Sequence, residues 1–200
     1  MKNPRVASDA NVALITMYKA LQNGWIPPHD MSEDEYERVK NTRDDNDPLT
    51  AFAGFGCSFA GKWFGGLASS EVRNYVSNAK NSVMYKAGRI VGVKFCSGDY
   101  RDYRPHGELV YCDPPYSGMT GYDAVGYFDS DEFWNVMRQW SINNTVVVSE
   151  YSAPQDFVCV KEMLVKTDMC VGGKKDHRIE RLFMLSGTET HDVEQMSLFG

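Results

Sequence analysis

The sequence predicts an α/β fold: a mostly parallel sheet that ends in an antiparallel hairpin. Three observations predict it. Strand-like runs alternate with helical periodicity from Arg5 to Ser149. Asp9, Asp99 and Asp113 stand at the carboxyl ends of expected strands, where open α/β sheets bind their ligands. The last two apolar runs, about 157–165 and 178–185, flank a polar Gly172-Gly173-Lys174-Lys175 turn. The 200 residues, 42% hydrophobic and 24% charged, have room for one globular domain with a modest insert.

The elements follow in order. Arg5–Ser8 reads as a short strand ending in Asp9, and a helix with Val12, Ile15, Lys19 and Ala20 on one side runs to a stop at Gly24. Ser32-Glu33-Asp34-Glu35 is a capping box that opens a second helix to about Lys40. Residues 30–47 hold eight acids against three bases, so this helix is expected to present a solvated face, with 41–48 as a loop. From Leu49 to Gly66 glycines interleave with aromatics, neither a clean helix nor a clean strand. Val72, Tyr75, Val76, Ala79 and Val83 predict a helix over 70–86 that Gly88 ends. Strands are expected at 91–95, 109–112 and 145–149, with a helix at about 130–140 before the last of them.

Several function classes are excluded at the level of composition. No apolar run approaches the ~20 residues of a membrane span, and no apolar h-region follows Met1-Lys2-Asn3-Pro4. The five cysteines include no C-x-x-C pair and the four histidines no i, i+4 pair, so neither a disulfide framework nor a metal site is expected. These features predict a reduced, cytoplasmic protein.

Asp113-Pro114-Pro115-Tyr116 is the most informative tetrapeptide. Two prolines fix φ and donate no N–H, so the path is stiff and the carbonyls are free. A strand-end carboxylate and the Pro114 carbonyl then form a rigid pair of acceptors that suits the two hydrogens of a planar amino group. Accepting both draws the nitrogen toward sp3 and frees its lone pair, a preorganised electrostatic catalysis. Tyr116 adds a face on which a base can stack. The bland alternative is a Pro-Pro turn that caps a strand.

Gly107-Glu108-Leu109-Val110-Tyr111-Cys112-Asp113-Pro114-Pro115-Tyr116 resembles the catalytic motif of the Dam-like (D12 class) DNA adenine N6-methyltransferases. Other segments extend the resemblance across residues 5–185. Cys96-Ser97-Gly98-Asp99-Tyr100 is similar to the family's C-x-G-D-[FY] element, and Val148-Ser149-Glu150-Tyr151-Ser152-Ala153-Pro154 to its downstream strand and loop. Ala7-Ser8-Asp9-Ala10-Asn11 with Leu21-Gln22-Asn23-Gly24-Trp25 is similar to its second cofactor motif, and Phe55-Gly56-Cys57-Ser58 with Gly61-Lys62-Trp63-Phe64-Gly65-Gly66 to phage-type members. The resemblance implies a Rossmann-like S-adenosylmethionine-dependent methyltransferase sheet, incomplete at the N-terminus, with a target-recognition insert and a C-terminal antiparallel hairpin. It divides the chain into 1–48 (strand and helix of the core), 49–95 (DNA-recognition insert), 96–186 (catalytic core) and a tail at 187–200. It assigns Asp113, Pro114 and Tyr116 to the flipped adenine, with Pro115 shaping the catalytic loop, and Asp9, Asp99, Tyr100 and Asp113 to the cofactor. Methyl transfer to another amine, N4 of cytosine or an RNA base, is the less favoured chemistry. Asp9 as a helix cap and Asp99 as a turn residue are the ordinary alternatives.

Double-stranded DNA is the expected partner, with the target base extruded. The net charge of -6 conceals residues 61–104, which carry eight bases and three acids. Lys62, Trp63 and Arg73 are the candidate DNA contacts; a solvated helix face is the alternative for this charge.

The family's first strand and its F-x-G-G-G loop have no counterpart here. Phe52-Ala53-Gly54-Phe55-Gly56 is read as part of the insert, because a helix and not an acid-ended strand follows it. A second polypeptide supplying the missing motifs, a shortened enzyme with a rebuilt site, and a silent relative that binds DNA or a partner all stay open. Gln195-Met196-Ser197-Leu198-Phe199 resembles the bacterial sliding-clamp binding peptide, with Gln195, Leu198 and Phe199 as anchors; a terminal strand packing its own apolar side chains is the alternative.

Overall fold

A computed structural model describes residues 4–70, 72–116, 128–171 and 174–188. They form a mixed α/β protein in two compact units, one up to Asp102 and one from Tyr103 onward.

The first unit is built on a two-stranded parallel sheet. β1 (Arg5–Asp9) pairs with β2 (Val93–Ser97) from Arg5↔Val93 to Asp9↔Ser97. Parallel strands need a crossover, and here it contains the α-helices described in the unit. The Asp9 carboxylate accepts from the Asn11 N–H at 2.7 Å, and the Asn11 side chain accepts from Leu14 N–H to start α1 (Val12–Gln22). The Gln22 amide donates to the carbonyls of Ile90 and Val93 at 2.6 and 2.9 Å, which ties the end of α1 to the start of β2. Gly24, at φ +88°, supplies the left-handed turn after α1.

Ser32 caps α2 (Glu33–Thr42) by accepting from Glu35 N–H, as the capping box predicts. α3 (Pro48–Ala51) opens with the Asp47 cap and proline in its first turn. It runs into a π-helical turn at Phe52–Gly56 and, after Cys57 and Ser58, a 3-10 turn at Phe59–Gly61. α4 (Tyr75–Ala87) follows.

Two expectations shift here. The helix expected over 70–86 begins at Tyr75, because the Asn74 side chain caps it by accepting from Ser77 N–H at 2.8 Å. Val72 then falls outside the helix and is 87% exposed. The strand expected at 91–95 begins at Val93, because Gly92 turns at φ +77° just before it.

One hydrophobic core joins Ala13, Met17 and Leu21 of α1 to Tyr36 and Val39 of α2, then to Ala51, Phe52, Ala53, Cys57, Phe64 and Val76. Residues 49–68 are therefore packed together with the segment before them. Gly54 is the close approach in this core, since a Cβ there would collide with the Trp63 ring.

The second unit is a mixed four-stranded sheet of order β3-β4-β6-β5. β3 (Leu109–Cys112) runs parallel to β4 (Thr145–Glu150), with Cys112 opposite Val148. α5 (Ser130–Trp140) precedes β4 and is capped by Asp129. The Asn144 side chain donates to the Pro105 and Trp140 carbonyls and accepts from Glu108 N–H, so it joins the end of α5 to the start of β3. β5 (Phe157–Val171) and β6 (Lys174–Leu185) form the antiparallel hairpin, and β6 also pairs with β4. The hairpin strands run longer than the sequence predicts, with irregular register between Cys159 and Lys161 and between Lys166 and Cys170. Among the described residues the strand pairings are thus two parallel and two antiparallel, more evenly mixed than a mostly parallel sheet.

Candidate active site and nucleic-acid surface

Parallel pairing of β3 with β4 sets the carboxyl ends of two strands side by side. Asp113 and the prolines leave β3 beside Ser149, in the buried run of β4 that ends at Glu150. The Tyr116 hydroxyl lies 2.9 Å from Ser149 Oγ, and its ring meets Tyr151 edge-on at 4.6 Å between centroids. A hydroxyl tether and an aromatic neighbour therefore fix the Tyr116 ring, with Ser149 shared by Tyr111.

Electrostatics single out the same end. Asp113 is open to solvent on one side, yet partial burial raises its pKa, a Tyr116 hydrogen bond opposes that rise, and the Glu180 and Glu150 carboxylates add to it. Burial and the Asp113 charge push Tyr116 up to about 12. Burial does the same to the Cys112 thiol, about 12, which leaves it protonated at neutral pH and removes it as a nucleophile. This end of the sheet offers a carboxylate, rigid proline carbonyls and a fixed aromatic face, and none of these needs a metal.

The other strand-end acids lie in the first unit. Asp9 and Ser97 are paired, and Gly98 N–H donates to the Asp9 carbonyl at 3.2 Å, so Asp9 and the Gly98-Asp99-Tyr100 turn share one edge of the parallel sheet. One Asp9 oxygen accepts from Asn11, and the other takes no partner among the described residues. Burial raises its pKa. Its helix-turn role and a free carboxylate oxygen coexist. Asp99 differs: its oxygens accept from Arg101 Nε at 2.8 Å and Nη2 at 2.6 Å, and Arg101 holds its pKa down. The Tyr100 ring carries the Arg101 guanidinium at 5.7 Å. A free carboxylate oxygen at the carboxyl ends of parallel strands could accept hydrogen bonds from a ribose diol.

Of the expected DNA contacts, Lys62 and Arg73 are exposed and meet no carboxylate among the described residues. Trp63 is placed differently. It packs over Gly54 and lies 4.5 Å from the Phe55 ring and 4.8 Å from Phe64, so it serves the fold of its loop. Phe52, Ala53 and Gly54 are likewise buried. Gln195, Leu198 and Phe199 lie outside the described residues.

Glu180 joins the site without having been singled out in the sequence, whereas Ser149, Glu150 and Tyr151 come from a segment already noted there, though without a role. Ser149 carries a usable signal, since it ends the strand expected next after the D-P-P-Y strand. Glu180 carries none, because only the pairing of β6 beside β4 brings it near. Among the described residues, no group of three His, Cys, Asp or Glu side chains could hold a metal ion, and no helix is long and apolar enough to cross a membrane. No protein-family model matches the chain, and a search of curated proteins returned no match.

Proposed function

We propose that the chain transfers a methyl group from S-adenosylmethionine to N6 of an adenine flipped out of double-stranded DNA. The observation that carries this reading is the state of Asp113: solvent-reachable, at the rigid carboxyl end of β3, beside a fixed tyrosine ring and among carboxylates. Asp9 would hold the ribose hydroxyls of S-adenosylmethionine, with Asp99 and Tyr100 at its adenine. When bound, the cofactor supplies an electrophilic methyl on a sulfonium. Asp113 and the Pro114 carbonyl accept the two amine hydrogens and leave the nitrogen lone pair free to attack. The nitrogen becomes positive as its new bond forms. The Asp113, Glu150 and Glu180 carboxylates favour that charge. A raised pKa also makes Asp113 a better acceptor for the proton the product sheds. Tyr116 stacks on the base and holds it out of the helix.

Calorimetric titration of S-adenosylmethionine into the chain, paired with methylation of duplex DNA, tests the reading. Wild type is expected to bind and methylate. Asp113→Ala should keep cofactor affinity within a few-fold and lose at least about 100-fold in rate. Equal rates for the two would reject the site.

A second reading has its own observation. β1 pairs only with β2, and β3 only with β4, so each leaves one strand edge unpaired among the described residues. Such edges accept an added strand. A polypeptide bringing the glycine-rich cofactor loop would complete the enzyme there. Cofactor binding that appears only after such a polypeptide is added would favour this split form. For the tail, deletion of residues 195–199 should abolish sliding-clamp binding; unchanged binding would remove the clamp as a partner through that segment.

A further inference from the structure

We propose that Phe59 is a wedge that enters duplex DNA, carried on a rigid loop from which Lys62 contacts phosphate. The inference rests on the DNA reading above and adds to it a residue that the sequence did not single out.

Phe59 is 69% exposed. A lone exposed aromatic is unremarkable on a flexible loop, but this loop is heavily constrained. Phe59 N–H donates to the Gly66 carbonyl at 2.8 Å and Ala68 N–H to the Cys57 carbonyl at 2.8 Å, which closes the base. Phe64 N–H donates to the Gly54 carbonyl at 2.9 Å, and Trp63 is packed over Gly54. Beneath the base runs a directed chain of hydrogen bonds. Gly66 N–H donates to the Tyr36 oxygen at 3.1 Å, the Tyr36 hydroxyl to Ser58 Oγ at 2.7 Å, and the Ser58 hydroxyl to the Ala53 carbonyl at 2.9 Å. Tyr36 and Ser58 are buried.

The tip itself is strained. Ala60, at the tip, sits at φ +54°, and Phe64, in the buried base, at φ +46°, left-handed conformations that L-residues avoid. Strain of this kind persists where the surroundings over-determine it, and it clusters at binding sites. Here it bends the chain so that Trp63 turns inward and Phe59 outward. Lys62 N–H donates to the Phe59 carbonyl at 3.1 Å, so the cation is one tight turn from the ring. Lys62 is exposed and has no carboxylate partner among the described residues. An apolar wedge with an adjacent unpaired cation suits a stacked polyanion. Proteins that unstack DNA insert aromatic or aliphatic side chains between base steps, and a flipped base leaves a gap for such a side chain to fill.

The test uses the full chain and duplex DNA with 2-aminopurine scattered among its adenines, so that unstacking raises fluorescence while anisotropy reports affinity. Phe59→Ala should bind about tenfold more weakly, with unchanged dependence on salt and without the fluorescence rise. Phe59→Trp should retain both. Lys62→Ala should lower the salt slope by about one and keep the rise in the bound state. Thermal melts should match wild type, since Phe59 lies outside the core; Phe59→Gln repeats the test if the alanine variant melts early. Phe59→Ala with wild-type affinity and fluorescence would overturn the wedge and leave the DNA reading standing. A wild type that binds no duplex would overturn both.

Discussion

Asp99 and Asp113 occupy the same kind of place, just beyond the carboxyl end of a strand in a parallel pair, and their surroundings are opposite. Asp99 is gripped through both oxygens by an arginine two residues on, which lowers its pKa. Asp113 has no arginine among its perturbers; partial burial and two carboxylates raise its pKa. The difference teaches that the pKa of a strand-end acid is set by what is withheld from it as much as by what is supplied. A neutralised carboxylate positions a turn, whereas an uncompensated one is ready to accept hydrogen bonds and a proton.

The largest expected effect breaks the comparison by removing charge alone. Asp113→Asn keeps the shape of the side chain and should cost methyl transfer on the order of 100-fold, while Asp99→Asn should cost less than about tenfold. Single-turnover rates at saturating cofactor check the pair.

Acidity sharpens the contrast. The proposed reaction needs Asp113 ionised, so its rate should fall on the acid side at a pH above the ordinary carboxylate value, and the Asp113→Asn residual should lack that limb. The stability effects run in opposite directions. The raised pKa of Asp113 means that its contribution is present at low pH and lost as pH rises through that pKa. The lowered pKa of Asp99 means that its contribution is present at neutral pH and lost as pH falls through that pKa. Asp113→Asn should therefore raise Tm at neutral pH while it lowers methyl transfer, and solvent exposure keeps the gain below about 1 kcal/mol. Melting curves at several pH values check both signs.

Ser149→Ala removes the tether on Tyr116 without touching Asp113, and a loss of about tenfold or less in rate is expected, with cofactor affinity unchanged. The smallest effect belongs to Arg101→Ala. It frees Asp99 and should alter stability by less than about 1 kcal/mol, with a few-fold change in cofactor affinity as the readout. A large loss of rate in that variant would erase the distinction between the two acids.

Much of this was legible in the sequence, for definite reasons. β1, β3, α1, α2 and α5 announce themselves through local caps and short apolar runs. Asp9 and Asp113 follow because strand ends are local features too. Residues 49–68 were not legible, because their structure depends on Trp63 finding Gly54 and on Tyr36 reaching Ser58 from α2, contacts with no periodic signature. The choice between Trp63 and Phe59 as the outward aromatic is set by the left-handed residues Ala60 and Phe64, which nothing in an alanine or a phenylalanine foretells. Glu180 entered the site through strand order, a non-local property of the hairpin.

The pairing of β1 with β2 has a consequence for biosynthesis. At about 5–20 residues per second on the ribosome, β1 emerges several seconds before the strand it pairs with, because the whole of α1–α4 is translated in between. The nascent chain must therefore assemble its helices while its first strand, with Val6 exposed even in the finished fold, waits unpaired. Slowing translation through α4 lengthens that interval, and the Gln22 amide, already in place at the end of α1, is ready to receive the carbonyls of Ile90 and Val93 when β2 arrives.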